Sequence, residues 1–106
     1  MGLWKTLYTY VYYICFRNTL VVRYKGLRIA VSNSAMIELV NEGKTLRDVL
    51  RILIEGYDAP RKRKAGIIEK WLDCGNKIYN AVIAKDYDNI MQEECWVLIH
   101  FGRHTK

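Results

Sequence analysis

The chain has 106 residues, of which 51% are hydrophobic and 26% are charged. This length is that of one domain, and the composition excludes wholesale disorder because enough apolar side chains are present to form a core. The formal net charge is +6, and no acidic residue precedes Glu38. Such a balance favours an anionic partner: a nucleic acid, an anionic membrane surface or an acidic protein. The three cysteines form no C-x-x-C pair, so we expect a protein of the reducing cytoplasm.

The chain begins with an apolar and aromatic run over residues 7–16, LYTYVYYICF. Ten residues are too few to span a bilayer. Arg17 and Asn18 follow where a signal peptide would carry small residues for cleavage, so we expect no membrane association. We predict that residues 1–18 form an aromatic arm or extra strand covering the sheet or a partner in a homodimer. A single α+β domain is predicted over residues 19–106.

Residues 19–32 are predicted to form a β-hairpin, because two β-branched runs flank Lys25 and Gly26. Glycine supplies the positive φ that a tight turn requires. The polar residues from Ser32 onward are typical helix N-caps, and Gly43 lies where a C-terminal glycine would end the first helix.

A second helix is predicted to begin at Thr45, since Asp48 three residues later completes a capping-box pattern, and to end at Gly56. Residues 34–55 could also be read as a helix-turn-helix that binds DNA. We reject that reading because strands are predicted on both sides of the helix pair and the second helix carries both acids and bases.

The remaining chain predicts a loop over residues 57–65 and then three antiparallel strands. The strands are placed at residues 67–72, 77–86 and 95–102, with a turn at residues 73–76. An N-terminal hairpin, a two-helix hairpin and a three-stranded meander together indicate an α+β fold.

Alternation along the strands predicts which sheet face is buried. In the last strand an unbroken apolar set is expected to face the helices: Cys95, Val97, Ile99 and Phe101. In the middle strand the same role is expected for Ile78, Val82 and Ala84, with Asn80 beside them. The opposite face is then open to solvent. It is predicted to carry Lys70, Lys77, Tyr79, Lys85, Trp96 and His100, with Arg103 and His104 just beyond the strand end.

Cations mixed with aromatic rings are typical of RNA-binding surfaces, because phosphates contact the cations and unpaired bases stack on the rings. Ordinary snorkelling lysines on a half-exposed sheet would give the same pattern. The nucleic-acid-binding set predicted here is Arg61, Lys62, Arg63, Lys64, Lys77, Lys85 and Trp96. RNA is also cleaved without a metal when its own 2′-hydroxyl attacks the adjacent phosphate. For that chemistry the candidate catalytic residues are His100 for proton transfer, Tyr79 as its partner, and Lys70 and Arg103 to stabilise charge.

No metal or cofactor is expected. His100 and His104 are four residues apart, but they lie in a predicted strand and tail rather than on one helical face. No glycine-rich phosphate loop occurs in the sequence.

Residues 32–45 (SNSAMIELVNEGKT) resemble the start of the first helix in an archaeal and bacterial branch of the RelE/ParE-like toxin superfamily. Ser32, Ala35, Gly43 and Thr45 fit that branch; Ser34 stands at its His position, and Glu38 and Glu42 stand at its two Arg positions. The segments GIIEKWL and WVLIHFGR also look similar to archaeal members. The resemblance implies a RelE/ParE-like fold, an activity that cleaves messenger RNA or poisons gyrase, and an antitoxin partner.

Three hypotheses follow from the sequence. The first is a metal-independent endoribonuclease of toxin type whose partner is an acidic antitoxin. The second is a non-catalytic module of the same fold that binds RNA or protein. The third is an interaction subunit that the N-terminal arm assembles into oligomers.

Overall fold

A computed structural model describes residues 22–106, so the predicted N-terminal arm lies outside the described residues. The elements are β1 (Arg23–Tyr24), β2 (Leu27–Val31), α1 (Asn33–Glu42), α2 (Leu46–Glu55), β3 (Tyr57–Asp58), β4 (Ile67–Cys74), β5 (Lys77–Asp88) and β6 (Glu93–Thr105). The α+β class predicted from the sequence is confirmed. No helix within residues 22–106 has the length and apolarity needed to cross a membrane.

The helix ends lie where the local sequence predicts them. The Ser32 hydroxyl accepts a hydrogen bond from the Ala35 N–H at 3.2 Å, which caps α1. Gly43 ends α1 in the left-handed conformation at φ 65°. The Asp48 carboxylate accepts from the Thr45 N–H at 2.8 Å, which completes the capping box of α2.

The six strands form one sheet in the order β1-β2-β6-β5-β4-β3. Strands β4, β5 and β6 form the predicted antiparallel meander. Strand β2 pairs with β6 in parallel, a contact that the sequence analysis did not anticipate. The chain must therefore cross over between β2 and β6, and α1 lies in that crossover and packs against β6.

Both helices pack on one face of the sheet, which we call the helix face. Its core joins apolar residues of the helices to those of the central strands, including Leu39, Val49, Leu53, Ile83 and Leu98. On the opposite face, which we call the reverse face, the residues described by the structure form a smaller apolar cluster of Ala30, Cys95 and Val97, with Met91 and Ile99 against it.

The predicted pleat of the last two strands is wrong. Trp96 and Leu98 face the helices, whereas Cys95 and Val97 lie on the reverse face. On β5 the helix-face residues are Ala81 and Ile83, while Val82 and its neighbours on alternate positions face away. The cause is that both faces of β6 are buried here, so alternation alone cannot tell which side the helices cover.

A β-bulge adds to the error, because the register of β5 with β6 shifts between Val82 and Ile83, opposite His100 and Leu98. Ile99 is the extra residue, so Phe101 returns to the helix face and His100 stays on the reverse face.

Strand lengths and one turn also differ from prediction. The residues predicted as a loop over 57–65 include the short strand β3, which pairs with Trp71 and Lys70 of β4. The turn between β4 and β5 contains only two residues, so Lys70 lies opposite Ala81 rather than opposite Tyr79. Strand β6 extends to Thr105 and therefore includes Arg103 and His104.

Candidate functional site

The basic and aromatic residues predicted to share an open face are mostly on the helix face. Trp96 is only 5% exposed, donates from Nε1 to the Tyr24 carbonyl at 3.1 Å and has the Lys85 ammonium 5.4 Å from its ring centroid. Tyr79 packs against Phe101 and has the Lys44 ammonium 4.8 Å from its ring centroid. These cations and rings are engaged with the core, so the prediction of an open face built from them is wrong.

The two other lysines of the predicted open face, Lys70 and Lys77, also lie on the helix face. Lys70 pairs with Asp58 at 2.6 Å, and Lys77 donates to the Thr105 hydroxyl at 3.3 Å. Lys70 is the cross-strand neighbour of Ala81, and Lys77 lies two residues before Tyr79 on β5, so both side chains are on the same face as these helix-face residues. Of the residues predicted on or beside the open face, only His100 and His104 lie on the reverse face. The candidate catalytic residues Lys70, Tyr79, Arg103 and His100 are therefore not brought together around one point.

Helix α1 holds two of these residues at the edge of β6. Glu38 accepts a hydrogen bond from the Phe101 N–H at 2.9 Å and contacts the His100 Nδ1 at 3.1 Å with its other oxygen. One turn later, Glu42 pairs with Arg103 at 3.2 Å. Glu38 and Glu42 therefore attach the helix to the sheet.

The basic loop at residues 61–64 lies on the reverse face, anchored by one buried carboxylate. The Glu69 side chain is 1% exposed and accepts hydrogen bonds from Arg61 at 3.1 Å with both oxygens, so that pair is bidentate. It also accepts from Arg63 Nε at 2.9 Å and from Trp71 Nε1 at 2.8 Å. We call these four residues, Arg61, Arg63, Glu69 and Trp71, the arginine–tryptophan cluster.

The electrostatics of this cluster keep Glu69 ionised. Burial on its own would raise the pKa of Glu69, but the hydrogen bonds from Arg61, Trp71 and Arg63 outweigh it and lower the pKa to about 2. The same contact raises the pKa of Arg61 above its usual value. The cluster is therefore a fixed, charged structure at neutral pH, and it sets the position of the loop.

The loop forms one wall of a groove with a volume of about 480 Å³. The lining residues come from the loop and from strands β3 and β4, and they are Asp58, Ala59, Pro60, Arg61, Lys62, Arg63, Ile67, Ile68 and Glu69. Lys62 and Lys64 are exposed, and within residues 22–106 neither ammonium group has an ion pair or a hydrogen bond. The groove therefore has the four cations of the loop and two carboxylates, of which Glu69 is paired with Arg61 and Arg63, and Asp58 is paired with Lys70.

An aromatic row continues from the cluster across the reverse face. The Trp71 ring lies edge-on to Tyr57 at 6.4 Å on one side and to His104 at 4.9 Å on the other. Tyr57 is 45% exposed and donates from its hydroxyl to Asp73 at 2.8 Å, which raises the pKa of that tyrosine. We call Tyr57, Trp71 and His104 the aromatic row.

Sequence reasoning identified the basic loop but missed Glu38, Glu69 and Trp71 as site residues. Glu69 gave one available signal, because it is a lone acid inside an apolar strand only five residues after four consecutive cations. A buried acid in that setting needs a cationic partner.

The described residues contain no group of three or more His, Cys, Asp or Glu side chains suited to a metal ion. No family model, no curated protein and no solved structure matches this chain significantly.

Proposed function

We propose that this protein binds single-stranded RNA on its reverse face, through the arginine–tryptophan cluster and the basic loop beside it. The observation that carries the proposal is the anchoring of Arg61, Arg63 and Trp71 by the single buried carboxylate of Glu69. This carboxylate fixes two guanidinium groups and an indole ring side by side. Phosphates and bases bind to groups of these two kinds.

Glu69 does not use up the hydrogen-bonding capacity of the arginines. A guanidinium group has five N–H donors, of which Arg61 gives two and Arg63 gives one to Glu69. The remaining donors, together with the ammonium groups of Lys62 and Lys64, are available to phosphate oxygens along the groove. An acidic antitoxin, the partner expected from the family resemblance, would bind the same cations and compete with RNA.

The aromatic row favours a single strand over a duplex. The bases of a duplex are stacked on one another and cannot reach a protein ring, whereas unpaired bases stack on Trp, Tyr and His. Tyr57 and His104 are exposed, and Trp71 is half-buried between them. An RNA strand whose phosphate backbone follows the groove would have successive bases over the aromatic row.

Fluorescence anisotropy with a labelled single-stranded RNA at several salt concentrations tests the proposal. We expect binding that weakens with salt, and a Lys62→Glu variant that binds at least several-fold more weakly with a smaller salt slope. The matched control is Arg47→Glu on α2, on the other side of the sheet; both changes lower the formal net charge from +6 to +4. Equal losses in the two variants would show that net charge alone attracts RNA and would contradict the proposed site.

A second candidate function is metal-independent RNA cleavage, and the contact between Glu38 and His100 is the observation that favours it. The carboxylate at Nδ1 orients the imidazole and leaves Nε2 free to accept a proton. A 2′-hydroxyl deprotonated there would attack the adjacent phosphorus and release the 5′-oxygen, which takes its proton from water. The products are a 2′,3′-cyclic phosphate and a 5′-hydroxyl end.

Labelled RNA incubated with the protein and EDTA tests this second function. Cleavage predicts fragments with cyclic phosphate ends that disappear in His100→Ala and become fewer in Glu38→Gln, while RNA binding persists in both. Intact RNA under these conditions would leave binding as the activity of this surface, and undiminished cleavage by His100→Ala would exclude His100 as the base.

A further inference from the structure

Part of the reverse face is buried although both helices pack on the other side of the sheet. Ala30 of β2 and Cys95 and Val97 of β6, which we call the reverse-face cluster, are 1%, 1% and 0% exposed. Among the described residues, the apolar side chains packed against this cluster are those of Met91 and Ile99. An apolar sheet face is buried to this degree when a further layer of chain covers it, and two side chains do not amount to such a layer.

Acidic side chains lie on the same part of the reverse face. Asp86 is the cross-strand neighbour of Cys95, and Asp88 is that of Glu93, two residues further from the cluster along both strands. Arg28 of β2 is also a neighbour of Cys95, and it pairs with Glu93 at 3.0 Å. The three carboxylates outnumber this guanidinium group, so the surroundings of the cluster favour a segment with positive charge.

The most deeply buried of these acids has an unused oxygen. Asp88 is 2% exposed, and its Oδ1 accepts hydrogen bonds from the Ile90 N–H at 2.9 Å and the Met91 N–H at 3.2 Å. Within residues 22–106 its Oδ2 is buried and has no hydrogen-bond partner. A buried carboxylate oxygen without a partner is costly, so a donor from another segment would stabilise the fold at this point.

Residues 1–21 have the chemistry that this region needs. They include the apolar and aromatic run over residues 7–16, which suits an apolar sheet face. They also include the cations Lys5 and Arg17, one on each side of that run, and they contain no acidic residue. Both the apolar surface and the charge of this segment are therefore complementary to the reverse-face cluster and the acids beside it.

The chain enters the described residues close to the cluster. The Val22 carbonyl accepts a hydrogen bond from the Ile29 N–H at 2.9 Å, which places Val22 beside β2. Strand β6 lies directly beyond β2, so the cluster is roughly 5–10 Å from this point. Residues 17–21 span up to roughly 17 Å when extended, which is enough for residues 7–16 to reach the cluster.

We propose that residues 7–16 pack over the reverse-face cluster of their own chain, with Lys5 and Arg17 beside the acids around it. This inference is independent of the proposed RNA binding. The arginine–tryptophan cluster lies on β4 and the basic loop, and β5 separates it from β6, so the proposed RNA site stays open. The segment and the cluster together form a second, smaller core on the side of the sheet that the helices leave uncovered.

Nuclear Overhauser effects (NOEs) in the full chain test the contact directly. In uniformly labelled protein we expect NOEs from the methyl groups of Ala30 and Val97 to ring protons of residues 8–16. A second sample mixes labelled and unlabelled chains, and isotope filtering then selects contacts between molecules; we expect these NOEs to be missing from it. Their presence there would place the segment of a second copy on the cluster and overturn the proposal, as would their absence from both samples.

The thiol of Cys95 provides a second readout, because it belongs to the cluster. In a chain with Cys15→Ser and Cys74→Ser, Cys95 is the one remaining cysteine. Adding Val11→Asp and Ile14→Asp puts two charges into the apolar run, and these charges oppose its packing on the cluster. We expect a thiol reagent to label Cys95 at least roughly tenfold faster in this variant, because local opening then costs less free energy.

The matched control is Ile37→Asp with Val40→Asp in the same cysteine background. These are the same two side-chain types three residues apart, and they are 55% and 68% exposed on α1, so labelling of Cys95 should not change. Equal labelling rates in the two variants would show that residues 7–16 do not cover the cluster. Thermal melts confirm folding, and the NOEs of the wild type decide the matter if a variant does not fold. Neither readout depends on whether RNA binds.

Discussion

The two faces of the sheet use their cations differently. On the helix face, Lys44 and Lys85 lie over aromatic rings, and Lys70 and Arg103 pair with single carboxylates. On the reverse face, Arg61 and Arg63 of the loop over residues 61–64 share the one carboxylate of Glu69, and the ammonium groups of Lys62 and Lys64 have no ion pair within residues 22–106. A basic composition therefore does not identify a binding surface by itself. The cations that remain unpaired within the fold indicate where an anionic partner can bind.

The largest expected effect is on the free energy of unfolding, and it distinguishes Trp96 on the helix face from Trp71 on the reverse face. Trp96 is buried in the helix-face core, so Trp96→Ala is expected to lower the free energy of unfolding by about 3–5 kcal/mol. Trp71 is half-buried on the reverse face, and Trp71→Ala is expected to cost clearly less stability while weakening RNA binding. Urea unfolding and RNA titration of both variants check this, and a larger stability loss for Trp71→Ala would reverse the assignment of the faces.

The next largest effect concerns Glu69 and pH. Its pKa is lowered from 4.5 to about 2 in the folded chain, so its contribution to stability is complete above pH about 5 and is lost as pH falls towards 2. A shift of this size corresponds to a contribution on the order of 3 kcal/mol. Urea unfolding between pH 6 and 2 should show this loss in the wild type and a smaller one in Glu69→Gln. The same pH slope in both would mean that another carboxylate is responsible.

A smaller effect distinguishes the lysines of the two faces. Lys62→Ala should lower the slope of log affinity against log salt by about one, as expected when one phosphate contact is lost. Lys85→Ala removes a cation that lies over Trp96, and the RNA affinity and its slope should stay unchanged. RNA titrations at several salt concentrations measure both slopes, and equal changes in the two variants would remove the distinction between the faces.

The smallest effect lies where α1 meets the sheet. Glu42→Gln removes the exposed pair with Arg103, and we expect a loss of at most about 1 kcal/mol in the free energy of unfolding. RNA affinity should not change, because this pair is not on the reverse face. Urea unfolding measures the stability, and a loss of several kcal/mol would show that α1 depends on this pair more than its exposure indicates.

The parts of the fold that depend on local chemistry were predictable from the sequence. Ser32, Gly43 and the pair Thr45–Asp48 form the predicted caps, because capping is decided by neighbouring residues. The turn at Lys25 and Gly26 and the antiparallel meander of β4, β5 and β6 were also predictable. These features require no knowledge of which segments meet in space.

The site was less predictable, because it depends on contacts between distant segments. The bulge at Ile99 reverses the alternation of β6, and no local residue type marks it. The parallel pairing of β2 with β6 buries Ala30 beside Val97, which gives the reverse face an apolar part that resembles a core in the sequence. The basic loop could be recognised as a charge run, but its anchor Glu69 becomes evident only when β4 and the loop are seen together.

Amide chemical-shift mapping during titration with single-stranded RNA tests the central claim most directly. RNA bound to the reverse face predicts shifts concentrated at residues 57–58, 61–71 and 100–104, with little change along α1 and α2 outside the contact at Glu38. Shifts concentrated on the outer surfaces of the two helices, or none at all with RNA in excess, would contradict it.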